Sequence, residues 1–219
     1  MLEDEPERFN EALKVYNNVA KLGAIETQDT SMQKKIAALV RLDSNQREGI
    51  SLDEYVEQRK EGQNQIFFLA NVGQTNDNLK KSVFIEKLTA RGYEVLLMND
   101  PMWAVLFVAG GVLLIQDVNR DEILVTTVRV WKNLSFQDVA KKGLKYGDEN
   151  PEMEKQQLEK FTEEYEPLVA FFTKKTQDIV KEVIISNRLV TSPCAIVVDS
   201  YGYSANMEKL LGKHKCVSR

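Results

Sequence analysis

Apolar positions in the first forty residues recur at helical spacing. Phe9, Leu13, Tyr16 (or Val15), Ala20 and Leu22 predict one apolar face, closed by Gly23, a residue suited to the turn after a helix. A second helix is predicted over 31–42, with Ile36, Leu39 and Val40 inward. Ser51-Leu52-Asp53-Glu54 has the Ser-x-x-Glu form in which side chain and backbone cap each other, so a short helix is expected to about Lys60. The run 65–72 (QIFFLANV) predicts a buried strand. Residues 76–91 then predict an amphipathic helix stopped by Gly92, and 93–98 (YEVLLM) a second strand. Strand, helix and strand in close succession imply parallel neighbours joined by a right-handed crossover. Residues 1–98 therefore read as helices on a small parallel sheet.

The pattern fails over 102–115 (MWAVLFVAGGVLLI), which has no charge and no alternation. A bilayer span needs about 20 apolar residues, so this run reads as a buried or irregular loop. An interfacial membrane segment is the alternative. Residues 121–131 predict a helix with Ile123, Leu124, Val128 and Trp131 on one side, and 135–145 a surface-lying stretch. The turn-rich Gly147–Pro151 (GDENP) marks a boundary between a region over 1–147 and another over 148–219. From Pro151 a charged helix is expected to run toward Glu182, bent near Pro167, with Leu158, Phe161, Leu168, Phe171 and Phe172 as its apolar positions. Runs 183–186 and 194–199 look β-like, and a helical start falls at Ser204.

Composition narrows the chemistry. With 29 Lys and Arg against 33 Asp and Glu, the net charge of −4 gives no reason to expect nucleic acid. Cys194 and Cys216 are too few for a thiolate zinc site, and the single His rules out mixed ligand sets. Free thiols are expected, with Cys194 buried. No basic segment followed by an apolar one opens the chain. His214, five residues from the end, reads as a solvated tail residue. Gly110-Gly111 lacks the Lys-Ser/Thr of a phosphate loop, and Gly212-Lys213 is followed by His214.

Carboxylates at Glu3, Asp4, Glu5, Asp53, Glu54, Asp148, Glu149, Glu163, Glu164 and Glu166 lie among Lys and Arg, the pattern of solvated faces. Trp131, Phe171, Phe172, Tyr201 and Tyr203 could serve as partner-binding aromatics, but core packing is the expected fate. Asn133-Leu134-Ser135 is a formal N-glycosylation acceptor, meaningful only in the secretory pathway. No catalytic, cofactor-binding or metal residue is assigned. Elimination leaves a binding or scaffolding role.

Residues 184–193 (IISNRLVTSP), followed by Cys194–Val197 and by Tyr201–Glu208 (YGYSANME), closely resemble the start of the carboxy-terminal domain of the heat-shock protein 90 family. Residues 51–60 (SLDEYVEQRK), 65–68, 84–93 (FIEKLTARGY) and 94–101 resemble the late middle domain of that family, in the same order; 18–42 does so less tightly. The resemblance covers most of the chain. It implies an α/β fold, a small parallel sheet with packed helices, followed by the truncated start of an α+β carboxy-terminal domain. Residues 51–60, 136–143 (FQDVAKKG) and 164–168 (EYEPL) further resemble the endoplasmic-reticulum branch, so the reticulum lumen is the expected location and the cytoplasm the alternative.

Departures from the family are also informative. Removing Trp103–Arg120 would join Met102 to Asp121 as Asp-Pro-Met-Asp-Glu-Ile-Leu, close to the family pattern, so 103–120 reads as an insertion. Gly212–Arg219 looks unrelated, and Tyr203 stands where the family has Trp. The resemblance implies an ATP-driven dimeric clamp using ATP and magnesium. Its partners would be unfolded or partly folded clients, co-chaperones and a second copy, with neither nucleic acid nor membrane. The nucleotide domain and catalytic Arg are expected before Met1 and the dimerisation helices beyond Arg219, so no residue of the ATP cycle maps here. Two alternatives remain: a small non-catalytic protein competing with the intact chaperone, or a membrane-associated protein using 102–115. Residues 183–219 are expected to be poorly anchored.

Overall fold

A computed structural model describes residues 6–71, 74–108, 111–141, 144–146 and 151–197. Its centre is a five-stranded sheet. β1 (Asp43–Ser44), β2 (Gln65–Ala70), β3 (Leu96–Met98), β6 (Val130–Trp131) and β7 (Leu134–Asp138) lie in the order β1-β3-β2-β7-β6. The inner strands β3, β2 and β7 are parallel, and each edge strand is antiparallel to its neighbour. The α/β expectation with a small parallel sheet holds.

Strand β2 is buried on both faces, which is why it reads as a continuous apolar run rather than an alternating one. Ile66 and Phe68 join Leu96 and Met98 in a core covered by α1 (Pro6–Glu26), α2 (Thr30–Ala37), α3 (Leu52–Glu57) and α6 (Arg120–Val128). Phe67 and Leu69 point the other way, to Leu79, Ile85, Leu88, Tyr93 and Val139 around α4 (Asn76–Leu79) and α5 (Glu86–Ala90). From β2 the chain steps to one side, to β3, through α4 and α5. It then returns across β2 to β7, with α6 on the opposite face. Steps in opposite directions need opposite faces if both crossovers keep the same hand. Each fully buried large apolar side chain contributes roughly 1.5–3 kcal/mol.

Local signals are reproduced where they are self-contained. Ser51 Oγ accepts from Glu54 N at 3.1 Å while Ser51 N donates to Glu54 Oε2 at 2.6 Å, the expected reciprocal cap; α3 ends at Glu57, short of Lys60. Asp29 caps α2, which stops at Ala37 and leaves Leu39 exposed, with Val40 buried. Gly92, at φ 78°, closes α5.

Several expectations are corrected. Helix α1 runs past Gly23 to Glu26, and only part of the expected apolar face turns inward: Ala20 packs on the core, whereas Leu22 is exposed. Val15, Tyr16 and Val19 are 62–70 % exposed, whereas Lys21 and Ala24 are buried. Polar contacts set the rotation of α1. Asn17 Nδ2 donates to Arg41 O at 2.9 Å and Asn17 Oδ1 accepts from Arg41 N at 2.8 Å, with Lys21 one turn further on. The side chains of Phe9 and Leu13 lie outside the described residues. The helix expected over 76–91 is broken at Ser82, whose hydroxyl and carbonyl bond Phe84 N and Ile85 N. Residues 135–145 are not simply a surface stretch: β7 is an inner strand beside β2, with Asp138 and Val139 buried, although Ser135 and Lys145 are exposed. Helix α6 ends at Val128, and Trp131 packs in the core from β6.

The uncharged run is neither loop nor helix. β4 (Pro101–Val108) and β5 (Gly111–Asn119) form an antiparallel hairpin, paired from Pro101–Asn119 to Val108–Gly111. Among the described residues its strands pair only with each other, and no helix there is long and apolar enough to cross a membrane.

Candidate functional site

Sequence reasoning placed no reactive centre, and the described residues contain no group of three or more His, Cys, Asp or Glu that could hold a metal ion. Glu54 is occupied as a helix cap, and Asp53 Oδ1 accepts from Trp131 Nε1 at 3.0 Å and pairs with Lys132 Nζ at 2.8 Å. Glu163, Glu164 and Glu166 are exposed, as expected. A surface depression is lined by the consecutive residues Arg59–Gln63, so no second element converges on it. Glu3–Glu5, Gly110, Asp148, Glu149, Tyr201, Tyr203, Gly212, Lys213, His214 and Cys216 lie outside the described residues, as do Gly147–Asn150 of the expected boundary. Cys194 is exposed rather than buried.

Three constructed features remain. The first closes the base of the hairpin. Arg120 N donates to Asp100 O at 2.9 Å, so the insertion leaves and re-enters the fold at one place. Lys21 Nζ lies 3.1 Å from Asp100 Oδ2 and 2.6 Å from Asp121 Oδ1, and Arg120 Nη1 is 3.1 Å from Asp100 Oδ2. Burial pushes the Asp121 carboxyl above its ordinary range, opposed by Lys21. Two cations and two anions thus stitch α1 to the start of α6.

The second joins the segment after the helices to the sheet domain. Because the chain breaks at Ser82, Glu86 sits in the first turn of α5. Its carboxylate accepts from Val190 N at 3.0 Å, Thr191 N at 3.1 Å, Thr191 Oγ1 at 2.9 Å, Ser192 N at 3.3 Å and the Ser192 hydroxyl. The Ser192 hydroxyl above all, then Val190 N and Thr191, hold the Glu86 carboxyl down at about 2. Arg188 donates to Lys141 O at 2.9 Å and to Val139 O at the end of β7. The β-like runs 183–186 and 194–197 form no strands. Within the stretch 183–219, expected to be poorly anchored, residues 188–192 are held by polar bonds, while Ile184, Val190 and Ile196 are exposed.

The third is a surface. The helix expected to Glu182 is two helices, α7 (Pro151–Glu164) and α8 (Glu166–Thr176), with Pro167 in the first turn of α8. The break is slight, since Tyr165 N still donates to Phe161 O at 2.9 Å and Val169 N to Tyr165 O at 3.0 Å. Leu158, Phe161, Tyr165, Leu168 and Phe172 recur at alternating intervals of three and four, a single stripe along one side of a helix. These five and Phe171 are 37–57 % exposed, so Phe171 and Phe172 are not core residues as expected. The rings of Phe161 and Tyr165 lie 6.4 Å apart, those of Phe171 and Phe172 5.8 Å. The spacing was present in the sequence. Tyr165 completes it between Phe161 and Leu168.

The exposed stripe and the tie between segment and sheet both involve the part of the chain that follows the sheet domain. The family profile described as Hsp90 protein matches residues 1–217. An endoplasmin homolog of Catharanthus roseus is 33% identical over 214 residues, covering 95% of this chain and 23% of that protein. An endoplasmin homolog of Hordeum vulgare is 32% identical over 214 residues, covering 96% and 23%. Among solved structures, the middle domain of a Plasmodium falciparum heat shock protein aligns with a TM-score of 0.48 and 26% identity, covering 63% of this chain and 48% of that one. The chain belongs to the Hsp90 family of chaperones. Within that family it is similar to endoplasmin, and it spans about a quarter of the length of those relatives.

Proposed function

We propose that this chain supplies client-binding surface to an ATP-driven chaperone working in the lumen of the endoplasmic reticulum. The observation that carries this reading is the exposed stripe Leu158, Phe161, Tyr165, Leu168 and Phe172 on α7 and α8. Unfolded polypeptide offers apolar side chains and unpaired backbone. A stripe of aromatic and aliphatic groups flanked by Glu and Lys binds the former without requiring a fixed partner sequence. Clients are thus unfolded or partly folded proteins, with co-chaperones and a second copy as the family's further partners.

ATP and magnesium belong to the longer chaperone in this reading, and this chain holds the client. Endoplasmin relatives support the lumenal location over the cytoplasm.

Suppression of aggregation of a thermally unfolded model protein tests the stripe. The chain is expected to reduce light scattering at stoichiometric amounts, and Phe161→Ser with Phe172→Ser to abolish the effect while leaving circular dichroism unchanged. Equal suppression by the double variant overturns the reading. Calorimetry with magnesium-ATP tests the second part: measurable affinity in this chain contradicts a purely client-holding role.

A further inference from the structure

The β6–β7 connection is a two-residue turn. Val130 pairs with Ser135 and Trp131 with Leu134, leaving Lys132 and Asn133 at the tip. Both tip residues have positive φ, 44° and 66°, the geometry that matches the twist of adjacent strands and that Asn adopts more readily than most residues. Leu134 is buried, so Ser135 on the next position points outward, and both Asn133 and Ser135 are exposed. The core therefore uses the middle residue of Asn133-Leu134-Ser135 and leaves the amide and the hydroxyl to solvent. This is the chain's one Asn-x-Ser/Thr tripeptide.

We propose that Asn133 is an N-glycosylation acceptor; the proposal rests on the lumenal reading above. The co-reactant is a lipid-pyrophosphate-linked oligosaccharide. The Asn133 amide nitrogen bonds C1 of the first sugar, and the bond from C1 to the pyrophosphate oxygen breaks. Lipid pyrophosphate leaves, and one amide proton passes to a base of the transferase. No oxidation state changes.

Transfer takes place before the sheet closes, because Ser135 is paired in the folded protein to Val130 and to Gln65. The fold then accepts the product, since the modified nitrogen lies at an exposed tip. A glycan there also flanks β6, which among the described residues is an edge strand of the sheet, the kind of strand that can pair with another chain.

The test is synthesis of the full chain behind a cleavable signal peptide in the presence of rough microsomes. The protease-protected product is expected to migrate slower by one glycan and to return on endoglycosidase treatment. Ser135→Ala leaves the turn residues untouched and is expected to abolish the shift while keeping protection; Asn133→Gln is expected to do the same, and Ser135→Thr to keep the shift. A protected wild-type chain without a shift, or a shift that survives in Ser135→Ala, overturns the proposal. Forced translocation separates this from the location, which is read independently by fractionating cells and detecting the endogenous protein with an antibody to this chain.

Discussion

The Glu86 carboxylate accepts a hydrogen bond from the Thr191 hydroxyl at 2.9 Å, joining positions 105 residues apart. With the neighbouring amides it anchors the segment that follows the helix pair to the first turn of α5. Its depressed value sets the direction of the pH effect. The tie contributes fully above the ordinary glutamate value of 4.5 and is lost as pH falls through about 2. At neutral pH, Glu86→Gln mimics the protonated state. Hydrogen exchange at the amides of Val190, Thr191 and Ser192 is expected to quicken in the order wild type, Glu86→Gln, Glu86→Ala, with β2 amides unchanged. Equal rates in all three would remove Glu86 from this role.

Lys21 is the buried hinge of the charge cluster beneath the hairpin. Removing it leaves Asp121 buried without its closest cation. Lys21→Met is therefore expected to cost about 3 kcal/mol, the usual penalty for an orphaned buried charge. Pairing it with Asp121→Asn should recover a large part. Urea unfolding of Lys21→Met, Asp121→Asn and the double variant decides. If the two costs simply add, the residues are not coupled.

Tyr55 of α3 holds three groups through one oxygen, one of them on β2. Its hydroxyl donates to Glu94 O at 2.7 Å and accepts from Gln63 Nε2 at 3.0 Å and Phe67 N at 3.1 Å. Burial pushes the phenol well above its ordinary value. Tyr55→Phe keeps the packing and leaves buried groups unpaired, so a loss of about 2 kcal/mol is expected by denaturant titration. A neutral result would mean that these groups find other partners.

The hairpin enters and leaves at the Asp100–Arg120 contact. Deleting Trp103–Arg120 is thus expected to keep the sheet folded, with an unfolding free energy lowered by no more than about 1 kcal/mol, loss of the Arg120–Asp100 pair included, and to raise the monomer fraction by removing an uncharged β-prone run. Loss of the cooperative transition in the deletion variant would show that the hairpin is part of the domain.

The amino-acid sequence alone determined the features whose partners lie a few residues away. The Ser51–Glu54 cap, the strand at 65–70, the stop at Gly92 and the stripe spacing on α7 and α8 follow from short-range bonding and periodicity. The family followed from the run around Ser186–Pro193. Tertiary structure decided the rest, because these choices turn on groups far apart in the chain. Strand β7 looks like surface until its backbone pairs with β2, seventy residues earlier. Helix α1 presents Asn17 and Lys21 inward because Arg41, Asp100 and Asp121 await them there, against the apolar pattern. The break at Ser82 gains its purpose only when Glu86 meets Val190–Ser192. Periodicity records which side chains avoid water; it does not record which distant polar group will satisfy a buried one.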